Sequence, residues 1–584
     1  MDQIKPQSGI VKENEVLLRD NGQWLYFSNP HRIIVAGKLE NVLPALAEIE
    51  DLISAHHWYA AGFISYEAAP AFDSALEAQT ETHFPYLWFG LYSEPKSVSL
   101  FQPGAPKPIL DWQPTIEREA YLSSITGIKD AIANGKTYQV NYTLQLRADF
   151  TGDAWNFFLH LAKDQNKQAA FVNTERYVIC SASPELFFQL DGNTIICRPM
   201  KGTVSRGRTT IEDIEQSQWL RNSAKNRAEN VMIVDMIRND LGKIADVGSV
   251  QVPLLFETER YSTLWQMTST VTAKTNASIT EIFRALFPCG SITGAPKVST
   301  MKIIADLEST PRKLYTGTIG FMAPNRKASF NVAIRTLLID QNTHKAEYGI
   351  GGGIVWDSSG TDEYEEAILK AQTLLKPDLS FSLLETILWT PENGFFLRER
   401  HLARMIDSAS YFDIPVTTEK LDGYLEQVSG EFFAPRRVRV FLDQTGELSH
   451  ASRTFEPAES HRKLRASLAK EAINSRNVFL FHKTTRREVY ELARRGFETL
   501  DDVLLYNEQG ELTEFTIGNL VVEIDGKLLT PPISCGVLAG TFRHYLLETG
   551  QALERTIPLA QIGRCAKIFR VNSIRRWERI ELQT

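Results

Sequence analysis

The chain has 584 residues and a formal net charge of −8, with 63 Lys and Arg against 71 Asp and Glu. This length exceeds what one hydrophobic core supports and predicts two or more domains. The acidic balance argues against nucleic acid or an anionic membrane as the main partner, because phosphate binding requires a basic surface. No apolar run reaches the length of a membrane span, and the start of the chain has no apolar signal segment. Five scattered cysteines without metal-site spacing favour a reducing cytoplasm.

Residues 1–115 mix short β-rich runs with one helical stretch. Trp24–Phe27 and Tyr86–Tyr92 are strand candidates, and the stretch near Asn41–Ala55 predicts a helix. Four prolines between Gln102 and Pro114 predict a linker or surface crossing. We therefore separate this N-terminal region from residues 116–376.

Strands and helices alternate through residues 116–376 without a strict βαβ rhythm. Helices are predicted over Glu117–Ala133, Ser217–Asp240 and Tyr364–Leu375. A hairpin is predicted where the apolar run Glu185–Leu190 meets the turn residues Asp191-Gly192-Asn193 and then a β-branched run. Hairpins of this kind indicate antiparallel sheets.

The hairpin brings an acid and an amine to its open end. Folding the chain about Gly192 places Glu185 and Lys201 on the same side. Such a pair can transfer a proton and attack one small substrate. The alternative is a surface hairpin with an exposed ion pair.

Three glutamates are candidate cation ligands. Glu229 lies on a predicted helix, and Glu363 and Glu366, three residues apart, share one helix face. Oxygen ligands without His or Cys favour Mg²⁺ over zinc. Each glutamate taken alone could equally be a solvated helix residue.

Two glycine-rich segments, Gly290–Lys297 and Tyr348–Ile354, follow in the chain. Consecutive glycines let backbone N–H groups approach an anionic ligand closely. Neither segment has the spacing of a Walker loop or a dinucleotide fingerprint. Each could also be a tight turn.

A second enzyme domain is predicted over residues 380–584, after helix-stop chemistry at Lys376-Pro377-Asp378. Lys483 ends an apolar run read as a strand, and Arg404 lies on a helix that His401 opens. A pyridoxal-phosphate site needs an amine, an acid facing the pyridine nitrogen and an anion cradle. Together with Glu514 and the segment Gly536–Arg543, these residues can supply all three.

Ordered segments of the first part resemble the chorismate-utilising enzymes and, among them, the aminodeoxychorismate synthases. The resemblance runs from about residue 117 to 375, and more loosely through the N-terminal region. It rests on these segments: Ser183–Phe187, Pro199–Thr203, Arg227–Gly242, Phe287–Lys297, Ile334–Leu337 and Tyr348–Val355. It implies an α+β fold, an anthranilate-synthase-like sandwich of antiparallel sheets with flanking helices.

The resemblance also implies a reaction. Anthranilate and isochorismate synthases typically carry alanine where this chain has Lys201, whereas aminodeoxychorismate synthases carry lysine. Lys201 would attack C2 of chorismate, Glu185 would give a proton to the departing 4-hydroxyl, and ammonia would enter at C4. Mg²⁺ held by Glu229, Glu363 and Glu366 would fix the substrate. The implied substrate-binding residues are Arg335, Lys370, Thr293, Gly294, Gly351, Gly352 and Gly353.

One departure concerns a histidine that many relatives carry and that is associated with pyruvate elimination in the anthranilate branch. This chain has Gln266 there, in Leu264–Ser269. The replacement fits an enzyme that keeps the enolpyruvyl group.

Residues 380–570 resemble the class IV pyridoxal-phosphate enzymes, which include amino-acid transaminases and aminodeoxychorismate lyase. The resemblance implies a two-subdomain α/β domain of fold type IV. In it, Lys483 would bind pyridoxal 5′-phosphate covalently, Glu514 would face the ring nitrogen, and Arg404, Gly540 and Thr541 would hold the phosphate. Val521 and Thr541 depart mildly from the usual family residues.

Taken together, the resemblances imply 4-aminobenzoate synthesis for folate: amination of chorismate, then pyridoxal-phosphate-dependent loss of pyruvate. No cysteine lies in a nucleophile elbow, so a separate glutamine amidotransferase subunit would supply the ammonia. The alternatives are a class IV amino-acid transaminase in the second domain, an anthranilate-type first domain, or a regulatory role with an aromatic amino acid bound in the N-terminal region.

Overall fold

A computed structural model describes residues 11–81, 83–99, 105, 107–162, 168–371, 381–456 and 463–583. By internal contacts the chain divides into two compact units. The first comprises Met1–Ser205 and Ser217–Asp378, and the second comprises Arg206–Gln216 and Leu379–Thr584. In the described ranges, no helix combines the length and the apolar character that a membrane span requires.

The first unit contains twenty described strands. They are β1 Glu15–Asp20, β2 Gln23–Phe27, β3 Arg32–Ala36, β4 Tyr59–Ile64, β5 Leu87–Tyr92, β6 Lys96–Val98, β7 Gln113–Pro114, β8 Gln139–Asp149, β9 Gln168–Asn173, β10 Tyr177–Ser183, β11 Leu186–Asp191, β12 Thr194–Arg198, β13 Met200–Ser205, β14 Gln251–Arg260, β15 Leu264–Lys274, β16 Gly294–Ala295, β17 Thr318–Ala323, β18 Lys327–Val332, β19 Thr336–Asp340 and β20 Lys345–Ile354.

Nine described helices accompany these strands in the chain. They are α1 Val42–His56, α2 Ala69–Phe72, α3 Arg118–Ala133, α4 Ala154–Ala162, α5 Thr210–Asn222, α6 Ala224–Gly242, α7 Ile279–Leu286, α8 Lys297–Leu307 and α9 Gly360–Lys370.

The strands form two ten-stranded antiparallel sheets. The first has the order β16-β8-β20-β19-β10-β9-β1-β2-β6, with β7 paired to β8. The second has the order β13-β15-β12-β11-β18-β17-β4-β5-β3, with β14 paired to β15. Strands from residues 1–115 lie in both sheets beside strands from residues 116–376, so these two regions share one compact unit.

Buried side chains from both sheets pack against each other. One apolar cluster joins residues of the first sheet, such as Val172 and Ile179, to residues of the second, such as Phe63 and Ile319. Two further clusters pack helices onto the outer faces of the sheets. The predicted sandwich of antiparallel sheets with flanking helices is confirmed.

The predicted hairpin is also confirmed. β11 and β12 pair with Asp191 opposite Thr194, and Gly192 has a φ of +59° in the turn. A residue without a Cβ adopts this left-handed conformation readily. The glycine-rich segment Tyr348–Ile354 is not a turn, because it lies within β20.

Helices were predicted well except at one point. The predictions over Asn41–Ala55 and Glu117–Ala133 are confirmed by α1 and α3. The single helix predicted over Ser217–Asp240 is wrong: α5 ends at Asn222, and Ser223 caps α6 by accepting a hydrogen bond from the backbone N–H of Asn226. A serine favours this capping role over a helix interior.

Three other predicted features fall partly outside the described residues. The helix predicted over Tyr364–Leu375 is described as α9 up to Lys370, and residues 372–375 lie outside the described ranges. Residues 376–378 of the proposed domain boundary also lie outside them, as do residues 102–104 and 106 of the proline-rich stretch.

The second unit contributes the following described strands: β21 Leu383–Thr390, β22 Gly394–Phe395, β23 Arg436–Leu442, β24 Leu448–Thr454, β25 Leu464–Leu468, β26 Asp502–Tyr506, β27 Leu512–Phe515, β28 Gly518–Ile524, β29 Lys527–Thr530, β30 Leu553–Glu554, β31 Lys567–Asn572 and β32 Arg576–Gln583. Its further helices are α10 Arg398–Tyr411, α11 Thr418–Ser429, α12 Glu488–Arg494 and α13 Thr541–Glu548.

These elements form two sheets within the second unit. A four-stranded antiparallel sheet has the order β22-β21-β23-β24, and its apolar face packs on α10 and α11. An eight-stranded sheet has the order β27-β26-β25-β32-β31-β28-β29-β30, and pairing of β27 with β28 closes six of its strands into a ring. The predicted two-subdomain arrangement is confirmed.

The strand predicted before Lys483 is wrong. Val478–Leu480 forms a 3₁₀ turn, and Lys483 lies in an extended segment beside β21. The apolar residues of this turn pack against aromatic residues at the C-terminal end of α10. A short turn can bury these apolar side chains as well as a strand can. Phe479, for example, stacks on Phe412 with the ring centroids 5.9 Å apart.

Residues 206–216 form an integral part of the second unit. The Tyr411 hydroxyl donates a hydrogen bond of 2.6 Å to the carbonyl of Gly207. The Arg208 guanidinium donates to the carbonyls of Ser475 and Ser534, at 3.3 and 3.2 Å. The second unit is therefore discontinuous in sequence.

Candidate active sites

Glu185 lies between β10 and β11 and is only 3% exposed. Its Oε1 accepts a hydrogen bond of 2.6 Å from the Ser291 hydroxyl. Burial raises the pKa of Glu185 to about 7, against the opposing effects of Ser291, the Met200 N–H and the charge of Lys201. The carboxyl group is therefore suited to hold a proton near neutral pH.

Lys201 lies on β13, close enough for its charge to act on Glu185. Burial lowers the pKa of Lys201, and the nearby charge of Lys370 lowers it further. Three carboxylates, those of Glu229, Glu363 and Glu366, oppose this effect. The acid and the amine thus have pKa values shifted toward each other, which favours a protonated acid beside a neutral amine.

Gly353 on β20 lies directly against this amine. A Cβ built on Gly353 would be 2.5 Å from Lys201 Nζ and would also collide with the Gln139 amide. Gln139 is completely buried, and within the described ranges its side-chain nitrogen and oxygen have no hydrogen-bond partner. A buried amide without a partner beside a reactive amine is suited to contact a ligand. Sequence reasoning missed Gln139, because polar residues recur throughout β8 and nothing in the local pattern distinguishes this glutamine from them.

The carboxylates of Glu363 and Glu366 lie close to β20, the strand that carries Gly353. Lys370 Nζ forms an ion pair with Glu366 Oε1 at 2.8 Å and donates a hydrogen bond of 2.9 Å to the Gly351 carbonyl. Glu363 accepts a hydrogen bond of 2.6 Å from the Ser358 hydroxyl, and a Cβ on Gly352 would lie 3.3 Å from its Oε2. The side chains of Lys370, Glu363 and Glu366 therefore lie beside β20, the strand whose Gly353 lies against Lys201.

The fit of this group to Mg²⁺ rests on donor chemistry. The negative charges of Glu229, Glu363 and Glu366 all raise the pKa of Lys201. Carboxylate oxygens are ligands that Mg²⁺ takes. In the described ranges no three carboxylate, His or Cys side chains are drawn together as a complete metal cluster. Mg²⁺ usually keeps several waters and takes few protein ligands, so the donor set is compatible with this ion.

Arg335, Thr293 and Gly294 occupy separate positions around the same sheets. Arg335 has a φ of +50°, and its guanidinium lies over the Tyr261 ring, 5.5 Å from the centroid. The Thr293 hydroxyl donates to the Cys289 carbonyl at 3.2 Å. Gly294 pairs with Val140, and a Cβ there would collide with the carbonyl of Gln139. Gly294 is thereby placed beside the strand that carries Gln139.

Gln266 supports the strand that carries Lys201. Its Nε2 donates to the Gly202 carbonyl at 3.1 Å, and its Oε1 accepts from the Thr203 hydroxyl at 3.1 Å. Both the nitrogen and the oxygen of the Gln266 side chain therefore form hydrogen bonds to β13.

Lys483 is the candidate amine of the second site. Burial lowers the pKa of Lys483 to about 8, and the positive charge of Arg404 adds to this effect. The charges of Glu385 and Glu514 act in the opposite direction. A substantial neutral fraction near pH 8 suits an amine that must react with a carbonyl group.

Glu514 is buried and held by three donors. Its Oε1 accepts from the Tyr490 hydroxyl at 2.8 Å, and its Oε2 accepts from Asn519 Nδ2 at 2.9 Å and from the Leu538 N–H at 3.3 Å. Burial raises the pKa of Glu514 to about 7. A carboxylate fixed in this way can pair with a protonated ring nitrogen.

Arg404 is oriented by a carboxylate that sequence reasoning missed. Its Nε and Nη2 donate to the two oxygens of Glu385 at 2.8 and 2.6 Å, and its Nη1 donates to the Ala539 carbonyl at 2.9 Å. A guanidinium has five N–H groups, so two remain for an anion. His401 Nδ1 donates to the same Glu385 at 2.6 Å, and His401 Nε2 lies 3.2 Å from the Thr541 hydroxyl.

Gly540 and Thr541 form the start of α13. Gly540 is the N-cap, where a Cβ would collide with the Asn519 amide. The free N–H groups of a helix start attract an anion. With the two remaining N–H groups of Arg404, they fit a phosphate, and with Lys483 and Glu514 the residues present fit pyridoxal phosphate.

The two-sheet sandwich has counterparts in a known family. Residues 13–376 match the model of the chorismate binding enzymes, and the chain belongs to this family. Residues 382–581 match the model of amino-transferase class IV.

Individual relatives match parts of the chain. Aminodeoxychorismate synthase component 1 of Escherichia coli is 40% identical over 269 residues, which are 46% of this chain and 59% of that protein. Chloroplastic aminodeoxychorismate synthase of Arabidopsis thaliana is 41% identical over 266 residues, 44% of this chain and 29% of that protein. The matched part of the chain thus spans between 29% and 59% of the length of these relatives.

A solved structure shows the shared fold. Anthranilate synthase component I of Streptococcus pneumoniae superposes with a TM-score of 0.54 and 23% identity, over 64% of this chain and 95% of that one. At this identity the likeness concerns the fold alone.

Proposed function

We propose that the first unit aminates chorismate at C4 to give 4-amino-4-deoxychorismate. The observation that carries this proposal is the pair Glu185 and Lys201, whose pKa values are shifted in opposite directions. Neutral Lys201 attacks C2 while protonated Glu185 gives its proton to the departing 4-hydroxyl. Ammonia then enters at C4 and expels the lysine amine.

The surrounding residues position the substrate. Arg335 and Lys370 bind its carboxylates, with the backbone of Gly351, Gly352 and Gly353 and of Thr293 and Gly294 completing the anion site. Glu229, Glu363 and Glu366 would hold Mg²⁺, which would anchor the ring carboxylate. These roles are supported by the contacts of Lys370 and Glu363 with β20, by the ion pair of Lys370 with Glu366, and by the charge that Glu229 exerts on Lys201.

The ammonia comes from a separate glutamine amidotransferase subunit. Four of the five cysteines are buried, and burial raises the pKa of the fifth, Cys565. A thiol with a raised pKa is a poor nucleophile. The E. coli relative, by its name, is likewise one component of a synthase.

For the second unit we propose removal of pyruvate from 4-amino-4-deoxychorismate to give 4-aminobenzoate, a folate precursor. Pyridoxal phosphate, when bound, would supply an electron sink. Lys483 would bind it covalently and then move the proton whose transfer drives pyruvate loss. Glu514 would face the ring nitrogen, and Arg404, Gly540 and Thr541 would hold the phosphate. The presence of both units in one chain supports consecutive reactions.

An amino-acid transaminase is the second candidate for this unit. The match of residues 382–581 to the class IV amino-transferases favours it. The two candidates share the cofactor site and differ in the substrate.

One experiment tests both units. The full chain is incubated with chorismate, Mg²⁺ and ammonium, with and without pyridoxal phosphate, and the products are identified by mass. We expect 4-amino-4-deoxychorismate without the cofactor and 4-aminobenzoate with it. Anthranilate as the product would overturn the proposal for the first unit. Accumulation of the 4-amino intermediate with the cofactor bound would overturn the proposal for the second.

A further inference from the structure

Tyr490 is a buried tyrosine that the proposed mechanism does not use. It lies on α12, is 8% exposed and packs in an apolar cluster with Leu480, Phe481 and Val503. Its hydroxyl donates a hydrogen bond of 2.8 Å to Glu514 Oε1. Burying a hydroxyl costs free energy unless the group is hydrogen-bonded. The bond to Glu514 therefore offsets that cost and ties α12 to the acid of the second site.

The donors around Glu514 leave one of its oxygens partly open. Each oxygen of a carboxylate has two acceptor sites. Oε2 uses both of them, for Asn519 Nδ2 and for the Leu538 N–H. Oε1 accepts from Tyr490 and, among the residues that the structure describes, from no second donor. One acceptor site therefore remains for a ligand, on the same oxygen that Tyr490 contacts.

The Tyr490 hydroxyl keeps its proton and acts on Glu514 as a donor. Burial raises the pKa of Tyr490 well above 10, and the charge of Glu514 raises it further. A donated hydrogen bond stabilises the charged form of a carboxyl group. Tyr490 therefore lowers the pKa of Glu514, against the effect of burial, which raises that pKa to about 7. The positive charges of Lys483 and Arg487 act in the same direction as Tyr490.

Arg487 fixes the ring of Tyr490 relative to Glu514. Its guanidinium lies 4.7 Å from the ring centroid and donates a hydrogen bond to the Thr516 carbonyl. A guanidinium over an aromatic face is attracted to it. Arg487 directly precedes α12, which carries Tyr490, and Thr516 directly follows β27, which carries Glu514. These contacts therefore join the element that holds the donor to the element that holds the acceptor.

We propose that Tyr490 is a positioning residue that keeps Glu514 a carboxylate and leaves one acceptor site of its Oε1 for the ring nitrogen of bound pyridoxal phosphate. This inference rests on the proposed function and adds a residue on which the cofactor site depends. A carboxylate accepts from a protonated ring nitrogen, whereas a carboxylic acid donates its own proton and favours an unprotonated one. Without the hydroxyl, the pKa of Glu514 should rise by about one unit, and its acid form then prevails at neutral pH.

The test uses the full chain loaded with pyridoxal phosphate that carries nitrogen-15 in its ring. Tyr490→Phe removes the hydroxyl and keeps the aromatic ring that Arg487 contacts. Tyr506→Phe is the matched control, because Tyr506 packs against the same apolar cluster but its hydroxyl contacts the Lys470 carbonyl. The nitrogen-15 NMR shift, read in the solid state at neutral pH, reports whether the ring nitrogen carries a proton. We expect a protonated ring nitrogen in the parent and the control and an unprotonated one in Tyr490→Phe.

A second measurement is the dissociation constant of pyridoxal phosphate, obtained by titrating the cofactor-free chain and following visible absorbance. It should rise about tenfold in Tyr490→Phe and stay at the parent value in the control. A protonated ring nitrogen in Tyr490→Phe overturns the proposal even if the cofactor binds more weakly, because a merely structural role would weaken binding alone. An unprotonated ring nitrogen in the parent or the control also overturns it. If the loaded parent releases no pyruvate, the proposed lyase function fails, and the NMR shift still decides on Tyr490.

Discussion

Replacing Glu385 by glutamine should loosen α10, the helix that carries Arg404. Glu385 is 3% exposed and binds both Arg404 and His401. These partners lower its pKa from 4.5 to about 2 against the effect of burial. A difference of about 2.5 units corresponds to about 3 kcal/mol in favour of the folded state.

The sign of the pH dependence follows from the lowered pKa. The contribution of Glu385 is fully present above the unfolded pKa of 4.5 and is lost as pH falls toward the folded value of about 2. Amide hydrogen exchange of α10, read by mass spectrometry, reports the free energy of its opening. We expect Glu385→Gln to raise the exchange of α10 about 100-fold at pH 7 and the difference from the parent to shrink toward pH 3.

The matched control is Glu399→Gln, which removes a glutamate on the same helix that is more accessible to solvent than Glu385. Removal of a surface carboxylate changes stability by only a few tenths of a kcal/mol. If α10 exchanges equally fast in both variants, or if the difference stays constant down to pH 3, the reasoning about Glu385 is refuted.

Three further predictions concern the first unit. Lys201→Ala should abolish the 4-amino product measured by mass spectrometry, and full retention of activity would exclude the covalent role. Ser291→Ala removes a hydrogen bond that lowers the pKa of Glu185. The alkaline limb of the pH–rate profile, where this acid loses its proton, should therefore move up by about one unit, and an unmoved limb would contradict Glu185 as the acid. Gly353→Ala should displace the Lys201 amine and lower kcat. The control Gly127→Ala, whose Cβ meets open space, should leave kcat unchanged. Equal kcat values in the two variants would show that the close approach of Gly353 to Lys201 is unimportant.

Local signals predicted the hairpin and many elements of the sandwich. Asp191-Gly192-Asn193 specifies a tight turn through backbone preference, and the flanking runs specify strands through their apolar pattern. The division between α5 and α6 was missed because neither helix has a clear apolar stripe whose end could be recognised, while Ser223 marks the break through one side-chain hydrogen bond. A single capping interaction leaves little trace in a pattern read over many residues.

Long-range contacts set the limit for site prediction. Glu185, Lys201, Lys483 and Glu514 were proposed from ordered segments, and their roles stay predictions. The structure added Gln139 and Glu385, because their importance depends on neighbours that local sequence does not reveal. Packing that joins residues far apart in the chain, such as Gln139 and Gly353, cannot be read from local pattern alone.

The segment Arg206–Gln216 has a practical consequence for dissecting this protein. A shortened gene that encodes only Leu379–Thr584 would omit part of the second unit. His482, beside Lys483, would lose its contact of 3.2 Å with the Arg208 carbonyl, and Tyr411 would lose the acceptor of its hydroxyl. Burial lowers the pKa of His482 from 6.5 to about 4, so greater exposure of this imidazole would raise its pKa back toward the ordinary value. Cutting the chain near residue 382, where the class IV match begins, would thus change the titration of a histidine beside Lys483.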